Sequence, residues 1–201
     1  MKNFDFADGL DIHARNLPHW RQDGATYFAT FRLDDALPSA LLGQLRSERA
    51  AWERSHPKPY SPEDLERYYL LFSDRVQQWL DAGHGACVLR QPSCARIVAD
   101  AVRHFDGDRY ALDAWVVMPN HVHALVEPRP GHSLDNILHS WTSFSGRRIN
   151  ELLGRRGTLW QSEPYDHIVR NERELDRLRT YIRDNPVNAG LSDCLGSWCY
   201  P

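Results

Sequence analysis

The chain has little that would carry it to a membrane or cross-link it. No apolar run approaches bilayer-spanning length, and the opening residues hold no basic-then-apolar leader pattern. A cytoplasmic protein with no membrane partner is therefore expected. The four cysteines, Cys87, Cys94, Cys194 and Cys199, form no C-x-x-C pair, so idle or buried thiols are expected rather than a zinc site. Lysine is nearly absent, with Lys2 and Lys58 the sole examples, and almost all positive charge is arginine. The net charge of −3 argues against broad, nonspecific nucleic-acid binding. Internal repeats, low-complexity stretches and linker-like segments are also lacking, which leaves one domain spanning residues 1–201.

What is present is ordinary in bulk and uneven in detail. The 42% hydrophobic and 25% charged fractions are those of a folded domain with a sizeable core. Between Trp141 and Arg183, nine arginines face six acids, a local excess of three positive charges. Guanidinium groups bind phosphate bidentately and stack on bases. The same pattern also suits a solvated helix surface laced with i,i+4 pairs.

Periodicity divides the chain into helices and strands. Thr26 to Leu33, aromatic and β-branched, reads as the first strand. Pro38 to Ser55 has helical spacing. Ser61-Pro62-Glu63-Asp64 starts a further helix expected to reach about Ala82, before Gly83. Residues 34–84 thus look like a helical insertion after strand one. Ala86 to Leu89 suggests a short strand, and Ser93 a cap for a helix reaching Phe105. Tyr110 to Met118 and His121 to Glu127 read as a hairpin joined through Pro119-Asn120. Ser133 to Leu153 is an amphipathic helix with Leu134, Ile137, Leu138, Trp141, Phe144 and Ile149 inward. Leu159 to Val169 suggests a loop with a short edge strand. A last helix from Glu172 should stop near Asn185, because Pro186 cannot continue it.

His121 and His123 stand two residues apart at the start of the second hairpin strand. Side chains at i and i+2 of a strand share a face. Two imidazoles side by side on a rigid element suit one metal ion. The spacing alone also admits two buried histidines satisfied by hydrogen bonds at a turn. Val122 should point the opposite way, into a core. On the last helix, Tyr181 and Asn185 are four apart and share a face. Singly, they read as a half-buried aromatic and a helix stop. Together with the histidines they admit a definite chemistry. A tyrosine hydroxyl can attack a phosphodiester if a cation held by imidazole and amide ligands activates the phosphate. Mixed N/O ligation suits Mn²⁺ at least as well as Mg²⁺.

The segments WVVMPNHVHALVEP (115–128), SFSGRRIN (143–150) and LWQSEPYDHIVRNERELDRLRTYIRDNPVNAGL (159–191) resemble the HUH single-tyrosine transposases, and most closely the REP-associated tyrosine transposases. The resemblance covers most of the chain. It implies an α+β fold, an antiparallel ferredoxin-like sheet with helices on its faces. It implies His121 and His123 as metal ligands, Asn185 as the third, and Tyr181 as the nucleophile. The implied substrate is single-stranded DNA bearing hairpins, cut and rejoined through a 5′-phosphotyrosine with Mg²⁺ or Mn²⁺. Charge and position suggest Arg147, Arg148, Arg155, Arg156 and Arg170 as DNA contacts. A monomer is favoured over a dimer within that resemblance. The rival expectation is a domesticated DNA-hairpin-binding regulator that mobilises nothing. An HUH nuclease of replication or conjugation would share the chemistry. Thr142 stands where relatives commonly carry lysine, and the acidic balance also departs from the family.

Overall fold

The computed structural model describes residues 11–14, 18–57, 60–68, 71–72, 74–191 and 199–200. Its centre is an antiparallel sheet of β3 (Tyr27–Arg32), β4 (Tyr110–Val117), β5 (His121–Pro128) and β6 (Tyr165–Ile168), ordered β6-β3-β5-β4. A two-residue strand, β7 (Cys199–Tyr200), extends the β4 edge. Strands β1 (Asp11–Ala14) and β2 (Pro18–Arg21), which the sequence pattern did not suggest, pair as a separate ribbon. The helices are α1 (Ser39–Ser55), α2 (Pro62–Tyr68), α3 (Asp74–Asp81), α4 (Pro92–Arg103), α5 (Leu134–Leu152) and α6 (Glu172–Asn188). Leaving aside α1–α3, the order from β3 to β6 is β-α-β-β-α-β, the expected ferredoxin-like α+β arrangement. Among the described residues, no helix is long and apolar enough to cross a membrane.

Period-2 alternation divides the sheet into two faces. Tyr27, Ala29, Phe31, Val117, Val122, Ala124 and Val126 pack with α4 and α5, including Val98, Val102, Ile137 and Trp141. The opposite face turns Phe28, Val116 and Leu125 toward Leu175, Leu178 and Ile182 of α6. With both faces covered, β5 is buried at every position from His121 to Val126. The hairpin closes where expected, Met118 N–H donating to the His121 carbonyl across Pro119-Asn120 (2.8 Å).

Several boundaries differ from the sequence reading, each for a local reason. Ala86–Leu89 is not a strand. Cys87 takes a left-handed conformation (φ 48°), and Val88–Arg90 forms a 3-10 turn. The helix expected from Ser93 starts at Pro92, because proline suits the first helical position; Gln91, not Ser93, is its cap residue. The helix expected over 61–82 is described as two pieces, α2 and α3. Phe144 is 44% exposed rather than inward. Trp160 occupies that side of α5, donating Nε1–H to Ser145 Oγ and lying 3.2 Å from where a Gly146 Cβ would stand. The small pair Ser145-Gly146 therefore faces the core, and Phe144 is turned out. Helix α6 continues past Pro186 to Asn188. Pro186 is buried, and its lost N–H costs one bond near the helix end, where packing outweighs it. Cys87 and Cys94 are buried free thiols, and Cys194 lies outside the described residues.

The helical insertion leaves and rejoins the sheet at one neck. The Asp35 carboxylate accepts from Ala86 N–H (2.8 Å). Gly85 beside it has φ +87°, and a Cβ there would stand 2.5 Å from the Asp35 carbonyl oxygen. No L side chain fits both constraints. Gly85→Ala is expected to destabilise the protein by about 2 kcal/mol or more, read as a lowered denaturation midpoint, whereas Gly107→Ala, at positive φ but with open space around it, should cost less.

Candidate active site

Strand β5 delivers His121 and His123 to the α6 face, both 0% exposed. Their rings are 4.5 Å apart, centroid to centroid. Opposite them in register on β3 stand Arg32 and Thr30. The hydrogen bonds behind the rings decide where their lone pairs point. Asn120 donates its amide Nδ2–H to the His84 carbonyl (2.9 Å), which can only accept. Its Oδ1 is therefore turned to His121 Nδ1 (2.7 Å), which must carry the proton. That leaves a lone pair on His121 Nε2, facing the site. His123 Nδ1 lies 2.8 Å from the Thr30 hydroxyl, and its Nε2 faces Tyr181. Such backing bonds fix the tautomer of a metal-binding imidazole.

Helix α6 is fastened at both ends of the distance it must span. Asn171 caps it, accepting from Glu174 N–H (2.9 Å). Glu174 reaches back to Arg170 N–H and to His167 Nε2 of β6, each 2.8 Å. Farther along, Arg179 forms a bidentate pair with Asp113 (2.8 and 3.2 Å). Asp113 sits at a bulge where the β4 register skips between Leu112 and Ala114. Two residues on, Tyr181 places its hydroxyl 3.3 Å from His123 Nε2, and its ring meets His123 edge-on at 5.2 Å. Because α6 persists, Asn185 is on the same face and 3% exposed.

A residue that the sequence reading missed completes the cluster. Asp81, the last residue of α3, accepts from the Tyr181 hydroxyl through Oδ2 and from Asn185 Nδ2 through Oδ1, each 3.3 Å. Its Oδ1 is 3.6 Å from His121 Nε2, and its side chain is 32% exposed. Ligand atoms of Asp81, His121 and His123 all lie within 4.8 Å of one another, a group able to hold a metal ion. Nothing in the local sequence marks Asp81 as a ligand or base; it is the last residue of a helix before Gly83.

The electrostatics fit a cation. Burial pushes the His121 imidazole down to about 3, and burial plus the His121 neighbour holds His123 well below its ordinary value. Both rings are neutral at pH 7. Burial raises the Asp81 carboxyl, against the hydrogen bonds from Asn185 and Tyr181 that lower it. Among the described residues, His121 Nε2 and Asn185 Oδ1 are buried without a hydrogen-bond partner. Two orphaned acceptors beside a carboxylate are costly alone and satisfied by a cation. The donor chemistry, imidazole with carboxylate and amide, suits a divalent metal of mixed N/O preference.

The model of the family described as "Transposase IS200 like" matches residues 92–185. This segment, just under half of the chain, is similar to IS200-like transposase domains. It contains His121, His123, Tyr181 and Asn185, whereas Thr30 and Asp81 lie outside the matched stretch. A REP-associated tyrosine transposase of Escherichia coli (strain K12) is 26% identical over 89 residues, 44% of this chain and 52% of that protein. The chain thus aligns with about half the length of this curated relative. A solved structure of a REP-associated tyrosine transposase bound to a REP hairpin covers 89% of this chain and 76% of its own, at 17% identity and a TM-score of 0.45.

The fold does not bring the five arginines together. Arg147 and Arg148 are exposed on α5, which packs on the sheet face opposite the histidines, and Arg155 and Arg156 follow in the exposed loop. Arg148 pairs with Glu151 (3.0 Å). Arg170 is half-buried at the start of α6.

Two outcomes are expected of this cluster. Mn²⁺ should raise the melting temperature of the wild type, and His121→Ala with His123→Ala should abolish the shift, because an ion that binds only the folded state stabilises it by mass action. For the metal-free protein the pH sign is set by the histidines. Their folded values lie below the ordinary 6.5, so the unfolded chain takes up protons first. Stability should fall as pH drops below 6.5, by at most about 1.4 kcal/mol per pH unit for each histidine, and the double variant should flatten that slope in denaturation titrations. The raised Asp81 carboxyl acts in the opposite sense, gaining stability as it protonates.

Proposed function

We propose that this protein is a metal-dependent transposase that cuts and rejoins single-stranded DNA at hairpin-bearing, REP-like sites through a 5′-phosphotyrosine intermediate. The observation that carries the reading is the Tyr181 hydroxyl 3.3 Å from His123 Nε2, within one chain, beside the Asp81–His121–His123 group. The match to the IS200-like transposase family and the curated relative's name support the substrate class.

In this reading His121, His123 and Asn185 would hold Mg²⁺ or Mn²⁺, joined by Asp81. The cation would supply the positive charge that polarises the scissile phosphate. Tyr181 Oη attacks phosphorus, a P–O bond to tyrosine forms, and the bond to the 3′ oxygen breaks. The phenol gives its proton to Asp81 Oδ2, the carboxylate oxygen at 3.3 Å, and the departing 3′ oxygen takes a proton from solvent water to become the 3′-hydroxyl. Asn120 keeps His121 in the tautomer that presents Nε2, and Thr30 holds the His123 ring in place. Rejoining is the reverse, with a 3′-hydroxyl attacking the phosphotyrosine. A tyrosine supplied in cis supports a monomer as the working unit.

Arg147, Arg148, Arg155, Arg156 and Arg170 are proposed as contacts to DNA. The first four, on the far side of the sheet from the tyrosine, suit a hairpin stem better than the cleaved strand. A site holding nucleophile, histidine pair and carboxylate together favours catalysis over a regulator that only binds.

Incubation with labelled hairpin-bearing single strands and Mn²⁺ should give a covalent protein–DNA adduct. Tyr181→Phe should abolish it, and Asp81→Asn should slow its formation on the order of 10²-fold or more with strand affinity retained. An adduct formed equally well by Tyr181→Phe would sink the reading.

A further inference from the structure

Helix α1 is long and amphipathic, yet none of its described residues is buried. It stands off the sheet. Beneath it lies a cavity of about 390 Å³, floored by Thr30 and Arg32 of β3 and walled by Leu42, Leu45, Phe72 and Leu80. The cavity adjoins the active site through its floor. Thr30 is bonded to His123, and Arg32 is the register partner of His121.

Arg32 makes the cavity unusual. Its Nη1 is buried and, among the described residues, has no hydrogen-bond partner. Burial also lowers its pKa, with the Asp34 charge acting the other way. A desolvated guanidinium with an unused N–H is costly unless an anion meets it. The rest of the lining shows which anion. Arg49 and Glu53 pair with each other (3.1 Å) and cancel; Arg46 adds positive charge from α1 and Glu163 opposes it, which leaves the charge of Arg32 in excess. The leucine and phenylalanine wall offers an apolar slot for a flat ring, and the amides of Gln77 and Gln161 can meet the edge of a base. A guanidinium for a phosphate, an apolar wall and amides for a base describe a nucleotide.

We propose that the cavity under α1 binds one nucleotide of the single strand beside the cleaved phosphate, with Arg32 on its phosphate and its base between α1 and α3. The inference rests on the reading of the protein as a single-strand-processing enzyme. It gives the helical insertion a second task besides delivering Asp81: reading the strand next to the scissile bond.

The test is equilibrium binding in EDTA, by fluorescence anisotropy, of a labelled random-sequence single strand and of an abasic strand of equal length, with deoxynucleoside 5′-monophosphates as competitors. Arg32→Gln should weaken binding of both strands about tenfold and lower the salt dependence by about one phosphate contact. Leu45→Trp, which fills the cavity from a helix with no buried residues, should weaken binding of the base-bearing strand about tenfold and leave the abasic strand unchanged. Arg129→Gln, which removes equal charge from an exposed loop, should stay within about twofold. Competition by free monophosphates, lost in Leu45→Trp, would support the cavity as a nucleotide site. If Arg32→Gln and Leu45→Trp bind both strands as the wild type does, the proposal is overturned. Adduct formation by the wild type is scored separately. Cavity-dependent binding without an adduct overturns the cleavage reading and supports the nucleotide site; an adduct with cavity-independent binding does the reverse.

Discussion

Everything at the candidate site depends on one register, the pairing of β5 against β3 that sets His123 opposite Thr30 and His121 opposite Arg32. A slip of one residue would exchange the faces of the strand. Val122 would then face α6, and the two imidazoles would enter the α4–α5 core among Val98, Val102 and Ile137. Both faces of the sheet are covered, so the apolar residues of β5 hold this register strongly. The chemistry is thus positioned by residues that take no part in it: Val122, Ala124 and Val126 on one side, Leu125 on the other.

The site is also where the fold breaks its own rule of satisfying buried polar groups. On the α4–α5 side the polar atoms of the core pair with one another. Tyr110 donates to the Val102 carbonyl and accepts from Trp141, and Trp160 donates to Ser145. Around the histidines, Asn120 and Thr30 complete only the rear of each ring, and acceptors are left facing inward. Deviations of this kind concentrate where a protein binds or reacts.

Much of this was legible in the sequence, because it rests on local rules. Pro119-Asn120 announced the hairpin, alternation assigned His121 and His123 to one face, and helical spacing put Tyr181 with Asn185. The same rules failed where distant contacts decide. Trp160 displaced Phe144 from the inner face of α5, which no window around residue 144 could reveal. Pro186 should have ended α6, but its burial holds the helix through Asn188. Asp81 was invisible for the strongest version of this reason. It lies in α3, far along the chain from each residue it touches, and an acid at the end of a helix carries no signal of its own. The cavity under α1 was equally hidden, since a stand-off between elements has no sequence pattern.

The neck at Asp35 and Gly85 has a consequence for how such a site can vary over time. Because the insertion departs and returns at one hydrogen-bonded point, its length is nearly decoupled from the sheet. Doubling a tethered loop costs only about 0.6 kcal/mol of closure entropy. The histidines and tyrosine are fixed by strand register and helix packing, which tolerate little change. Ahead of α3 the excursion can be lengthened or shortened behind its clasp, provided that Asp81 returns to Tyr181 and Asn185. The length of the insertion and the placement of the histidine–tyrosine cluster are therefore separate variables of this fold.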